Sequence, residues 1–123
     1  MYYVCSSCKS RFNSVDKPVW LCRYGKPLSV RYNWEKNQSH FKVNIDEKSL
    51  WRYESVLPEY KTRISLGEGF TPLVPISENV YVKNETLNPT GSFKDRGMSL
   101  AITMAKEQNV ESICLPSAGN AGI

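Results

Sequence analysis

Long apolar runs are missing from this sequence. No stretch of its 123 residues approaches the roughly 20 consecutive apolar residues that a membrane-spanning helix requires. The apolar segment of a secretory signal is missing too, because the start, MYYVCSSCKS, places Cys and Ser where that run would stand. The expectation is a cytoplasmic, reducing location, where disulfides are disfavoured. The shortage of apolar residues that marks disorder is also absent: 41% hydrophobic and 23% charged residues are those of an ordinary soluble globular chain.

The net charge of +4 is unevenly spread. Residues 1–52 carry ten Lys/Arg against four Asp/Glu, whereas residues 53–123 carry six against eight. A basic half interleaved with Tyr2, Tyr3, Phe12, Trp20, Tyr24, Tyr32, Trp34 and Phe41 could stack on bases and pair with phosphates. Such a half is more often a solvated surface over a small aromatic core, so a nucleic-acid partner is the minor expectation.

Residues 1–32 show short aromatic runs broken by turn residues, the texture of a small ribbon-like β module. Residues 33–50 are polar and weakly periodic, which suggests a linker with one short strand at 40–45. From Trp51 the pattern changes to a lead-in, a glycine- and proline-punctuated loop over 66–73, and a β-branched strand at 80–83. Met98, Ala101, Ile102 and Ala105 fall at i, i+3, i+4 and i+7, which predicts a helix. Ser92 with Asp95 gives it a capping-box start, and Asn109 can end it. The apolar run 110–115 suits a buried strand holding Cys114 as a small hydrophobe. Residues 116–122 then form a loop opening onto another helix.

Strand, helix and strand in this order imply an α/β fold with a right-handed parallel crossover. Two strands and one crossover cannot bury their apolar surface. The parallel sheet is therefore expected to be incomplete, with further chain, a second chain or a homo-oligomer completing it.

Lys94 lies just past the predicted helix cap, where a cation is mildly disfavoured, by roughly 0.3 to 1 kcal/mol. Structure alone gives no reason for Lys94 and Arg96 there. Imine formation would, since it needs a lysine that can give up its proton, and a helix amino terminus with a cation nearby favours that loss. A solvated lysine balanced by Asp95 is the plainer alternative.

Four segments in order, Leu66-Gly-Glu-Gly-Phe-Thr-Pro-Leu73, Val82-Lys-Asn-Glu85, Asn88-Pro-Thr-Gly-Ser-Phe-Lys-Asp-Arg-Gly97 and Ser117-Ala-Gly-Asn-Ala-Gly122, resemble the threonine synthase family, and Trp51-Arg-Tyr53 adds to the match. The resemblance is strong from Trp51 to Ile123 and looser before residue 33. It implies a fold-type-II pyridoxal-phosphate domain in which Lys94 holds the cofactor as an imine and shuttles protons. By the same resemblance Asn120 sits beside the cofactor's phenolic oxygen, Ser117 and Gly119 hold an amino-acid substrate's carboxylate, and Phe93 is a candidate to pack on the ring. An amide can donate to a phenolate and free backbone N–H groups suit a carboxylate.

The implied reaction converts O-phosphohomoserine to threonine and phosphate, with the cofactor as electron sink. Cysteate synthase, threonine dehydratase and cysteine synthase share the lysine and asparagine motifs and remain alternatives. The family usually has Ser or Thr before the Gly-Asn pair, and Ala118 stands there instead. In the family the glycine-rich phosphate cup and the group facing the pyridine nitrogen lie beyond the position of Ile123, so the 123 residues alone are expected to be inactive.

Cys5-Ser-Ser-Cys8 and Cys22 resemble part of a zinc ribbon that precedes the catalytic domain in some members. The second knuckle, Cys22-Arg-Tyr-Gly-Lys-Pro-Leu28, lacks its second cysteine, which leaves three candidate ligands where a structural zinc site wants four. His40 is a conceivable fourth. A zinc-ribbon module that binds nucleic acid or protein is the competing reading of the whole chain.

Overall fold

The computed structural model describes residues 1–13, 20–33 and 41–122. The amino-terminal residues form a three-stranded antiparallel sheet of β1 (Tyr2–Cys5), β2 (Arg11–Asn13) and β3 (Leu28–Arg31) in the order β2-β1-β3. Tyr3 of the central strand stands opposite Phe12 on one side and Val30 on the other, a cross-strand aromatic and β-branched grouping that stabilises so short a sheet. Two cations of this basic half lie over their own aromatics, Arg11 3.7 Å from the Tyr2 ring centre and Arg23 4.6 Å from that of Tyr24.

His40 lies outside the described residues, and 41–45 is not a strand. Its backbone is bonded instead to a 3₁₀ helix at Leu50–Val56: Lys42 N–H donates to Ser55 Oγ at 2.9 Å and Asn44 N–H to the Arg52 carbonyl at 2.9 Å. That helix places Trp51, 1% exposed, edge-on to Tyr60 with ring centres 4.9 Å apart.

β4 (Leu73–Ser77) and β5 (Val80–Lys83) make an antiparallel hairpin with an irregularity between Pro75 and Ser77. Pro75 cannot donate to a ladder, which suits an edge strand. The expected strand at 80–83 is present, but its partner is β4, not a crossover-linked parallel strand.

The predicted parallel sheet does not form among the described residues: 110–115 adopts no strand, and Cys114 is exposed, not buried. A strand in that place needs a neighbour to satisfy its backbone, and no described strand pairs with it. Apolar side chains of the hairpin such as Leu73, Ile76 and Tyr81 are accordingly more than half exposed. The described fold is thus a small α/β arrangement whose strands run antiparallel.

α1 (Lys94–Glu107) fulfils the helical expectation. Asn109 ends it with φ 54°, Asn109 N–H donating to Lys106 O and Val110 N–H to Ala105 O, both at 3.0 Å. These two bonds are a Schellman closure. The start differs from a capping box: Ser92 Oγ accepts from Lys94 N–H at 3.3 Å, while Asp95 reaches back to Thr90 N–H at 2.8 Å and to the Thr90 hydroxyl.

Docking of α1 is carried by polar residues at i, i+4, i+8 and i+12, which share one face. Asp95 grips Thr90; Ser99 Oγ donates to Ile64 O at 2.8 Å; Thr103 Oγ1 accepts from Ile64 N–H at 2.9 Å; Glu107 accepts from Lys61 and Thr62 N–H at 2.8 and 3.1 Å. These amides hold the Glu107 carboxyl below its ordinary pKa. The segment 61–64, which has no strand partner, finds its backbone bonds on this stripe.

Among the described glycines, Gly69 is pressed closest against another segment. Its φ is +98°, and a Cβ would sit 2.7 Å from the Leu50 backbone nitrogen. Gly69→Ala is expected to cost at least about 2 kcal/mol, from left-handed strain plus a backbone clash. Denaturant titration checks this, with an unchanged midpoint as the contrary result.

Candidate active site at the start of helix α1

The four motifs that stand apart in sequence are tied into one hydrogen-bonded scaffold. Glu68 of the Gly-Glu-Gly loop, 1% exposed, accepts from Trp51 Nε1 at 2.9 Å, Leu66 N–H at 2.8 Å and Ser65 Oγ at 3.0 Å. A buried carboxylate needs such a full set of donors. Gly69 N–H donates to Asn88 Oδ1 at 2.8 Å, and Asn88 Nδ2 donates to the carbonyl and side chain of Glu85 at 3.0 and 2.9 Å. The loop is thereby fastened to the turn that precedes α1.

Glu85 is the hub of the second half of this scaffold. Its carboxylate takes a bidentate grip from Arg96, Nε at 2.7 Å and Nη2 at 2.8 Å, and a 2.6 Å bond from Thr71 Oγ1. Arg96 first, then the Thr71 and Asn88 donors, hold the Glu85 carboxyl down at about 2 against the cost of its burial. The same pairing raises Arg96. Lys83 Nζ donates to Thr71 O in the same cluster. Arg96 is therefore spoken for: its charge is spent on Glu85, and its place beside Lys94 is explained by docking the helix. Glu85 lies inside the Val82–Glu85 motif, and the motif alone assigns it no role. The (Lys)-Asn-Glu…Arg signal was visible, although only the fold pairs its ends.

Lys94 is the first residue of α1, exposed, and among the described residues its ammonium makes no ion pair. Asp95, offered by the sequence as its balance, is 6% exposed and turned to Thr90. Asn120 Nδ2 donates at 2.8 Å to the carbonyl of that same Thr90. Thr90 thus brings the asparagine loop and the lysine-bearing turn to one end of the helix. Asn120 keeps a second amide hydrogen, since one –NH₂ offers two donors.

The other predicted residues are less prepared. Ser117 Oγ donates to Gly119 O at 2.6 Å and accepts from Gly119 N–H at 3.1 Å, so the two candidate carboxylate donors are turned on each other. Phe93 is 64% exposed and packs as neither core nor platform. A cleft of about 340 Å³ beside α1 includes Thr90, Asp95, Met98, Ile102, Ile113 and Asn120 in its lining, but not Lys94 or Phe93. This cleft therefore takes in Asn120 but not Lys94.

The residues fit pyridoxal phosphate in their donor chemistry: an accessible amine without a competing carboxylate, and an amide with a spare hydrogen fixed to the same turn. Far from this place, Cys5, Cys8 and Cys22 bring their three Sγ atoms within 4.8 Å of one another. The Cys8 thiol is held at about 6, by the Ser10 hydroxyl and then the Ser10 backbone.

Residues 64–123, which carry the Lys94 helix and the Asn120 loop, match the family model described as pyridoxal-phosphate dependent enzyme. The chain is similar to threonine synthases: 37% identical to that of Methanocaldococcus jannaschii over 94% of this chain and 32% of the relative. The threonine synthase of Methanosarcina acetivorans is 32% identical over 98% of this chain and 32% of the relative. That of Bacillus sp. strain ULM1 is 46% identical over 58% of this chain and 23% of the relative. The chain spans about a third of the length of the first two relatives. No solved structure matches it. The likeness to threonine synthases read from the motifs is borne out, as is pyridoxal phosphate as the cofactor of the family.

Proposed function

We propose that these residues are the lysine-bearing, amino-terminal part of a pyridoxal-phosphate-dependent threonine synthase that converts O-phosphohomoserine to threonine and phosphate. The observation that carries this is the convergence of Lys94 and Asn120 on one turn through Thr90, inside a scaffold built from the family's own motifs. The bound cofactor would supply an electron sink for carbanions next to the substrate nitrogen.

Lys94 Nζ would hold the cofactor and would carry protons between substrate carbons. Asn120 Nδ2 would offer its spare hydrogen to the cofactor's phenolic oxygen. Ser117 and Gly119 take the substrate carboxylate after exchanging their mutual bonds for it, a local rearrangement of one turn. Phe93 would pack on the cofactor ring. Arg96, Glu85, Thr71 and Asn88 touch no reacting atom and position the turn. Residues 1–32 form the ribbon-like module, 33–50 the connector and 51–123 the start of the catalytic domain. The exposed apolar hairpin supports completion of the sheet by further chain or a second copy. No described helix is long and apolar enough to cross a membrane, and a cytoplasmic site of action belongs to the same proposal.

A chimera tests the reading. The isolated 123-residue chain, given pyridoxal phosphate and O-phosphohomoserine, is expected to release no phosphate. The same chain grafted in place of the matching third of the Methanocaldococcus jannaschii relative is expected to release phosphate and form threonine. A soluble, cofactor-loaded chimera that instead acts on a sulfur-containing or unphosphorylated amino acid would move the assignment to another fold-type-II enzyme.

A further inference from the structure

The Cys5, Cys8, Cys22 cluster has the build of a metal site with one corner left out. Two turns face each other there. In the first, Lys9 N–H donates to Cys5 O at 3.1 Å, Cys5 N–H to Ser10 O at 3.0 Å, and Lys9 takes the left-handed φ of 59°. In the second, Gly25 N–H donates to Cys22 O at 2.9 Å, Cys22 N–H to Lys26 O at 2.9 Å, and Gly25 takes φ 69°. The bonds correspond one to one, but the first turn closes on the fourth and fifth residues after its cysteine and the second on the third and fourth. The second turn is one residue short, and Tyr24, just before the left-handed Gly25, stands where Cys8 stands before Lys9.

The shortened turn therefore offers Tyr24 and no fourth thiolate. Gly25 occupies the left-handed position that Lys9 fills in the first turn. What remains is prepared for a metal: Cys8 N–H points at Cys5 Sγ and Tyr24 N–H at Cys22 Sγ, each at 3.4 Å. Such amide-to-sulfur bonds orient and stabilise ligand sulfurs. All three cysteines are free thiols, with Cys5 0% and Cys22 5% exposed and Cys8 half-buried, so solvent reaches the cluster at Cys8. Sulfurs within 4.8 Å need close by only about 1 Å to meet the separation around an ion with metal–sulfur bonds of roughly 2.3 Å.

We propose that Cys5, Cys8 and Cys22 bind one Zn²⁺ per chain as a three-thiolate site whose fourth position holds an exchangeable water or small anion. Tetrahedral preference and thiolate donors favour zinc, and a fourth position left to solvent is what separates open zinc sites from closed structural ones. The three thiol protons leave to solvent on binding, so no redox partner is involved. This site is independent of the pyridoxal-phosphate reading and would survive its failure.

Metal analysis of the reduced chain, dialysed against zinc, is expected to give one Zn²⁺ per chain. Cobalt substitution is expected to give a tetrahedral thiolate spectrum that shifts when a small thiol or azide is added. Cys22→Ser is expected to weaken binding by more than the roughly 10- to 100-fold lost with an outer-shell partner. As a control for loss of the sheet in that variant, a second protein carries a cysteine inserted between Tyr24 and Gly25. It restores the length of the first turn and is expected to bind more tightly and to lose the response to added thiol. No stoichiometric zinc, a cobalt spectrum blind to added ligand in the unmodified chain, or an insertion without effect on that response would each overturn the proposal.

Discussion

Replacing Lys94 by Ala in the chimera is expected to abolish covalent retention of pyridoxal phosphate and to remove threonine formation, while leaving thermal stability unchanged or slightly raised. The two halves of that result come from different physics. Lys94 is exposed, pairs with no described carboxylate and sits where the helix dipole disfavours a cation, so its removal gains up to about 1 kcal/mol in the fold. Nothing else among the described residues of the turn can replace its amine: Arg96 is bound to Glu85 and does not form imines. Absorbance of the dialysed protein and a thermal melt check both halves together. Retained colour, or a large drop in melting temperature, would point to a structural lysine.

Glu85→Gln is expected to cost about 2 kcal/mol and to weaken activity through misplacement of the helix start. The carboxylate and Arg96 are each roughly three-quarters buried, and truncating one partner of such a pair leaves the other charge without compensation. The depression of Glu85 from 4.5 to about 2 sets the pH dependence. A carboxyl whose folded pKa lies below its unfolded one stabilises fully above about pH 4.5, and that contribution is lost as pH falls towards about 2. The shift converts to roughly 3 kcal/mol before allowing for the exposed quarter of the side chain. Denaturant unfolding at pH 7, 5 and 3 is expected to show the native protein losing stability on acidification and the Gln variant losing less. Parallel acid profiles would show that Glu85 is not the hub.

Much of this arrangement was legible because it is local. The strand at 80–83, the helix and its Asn109 terminus follow from side-chain periodicity and one left-handed residue, and the ordered motifs point to the family. What escaped depends on partners distant in sequence. The apolar run 110–115 reads as a strand only if a neighbour pairs with it. The docking stripe of Asp95, Ser99, Thr103 and Glu107 was hidden because apolar periodicity draws attention to Met98 and Ile102, which line a cleft. Arg96 reads in sequence as a charge acting on Lys94, but Glu85, eleven residues earlier, holds it. The missing cysteine is visible in the sequence, but the shortening of its turn, with Tyr24 at the place of Cys8, shows only in the hydrogen-bond register.

The position of the cofactor linkage is the centre of this account. Borohydride reduction of the chimera equilibrated with pyridoxal phosphate, followed by peptide mapping, locates that linkage directly. The pyridoxyl group is expected on the peptide containing Lys94 and to disappear in Lys94→Ala. A label on another lysine, or an active chimera with none at Lys94, would contradict it.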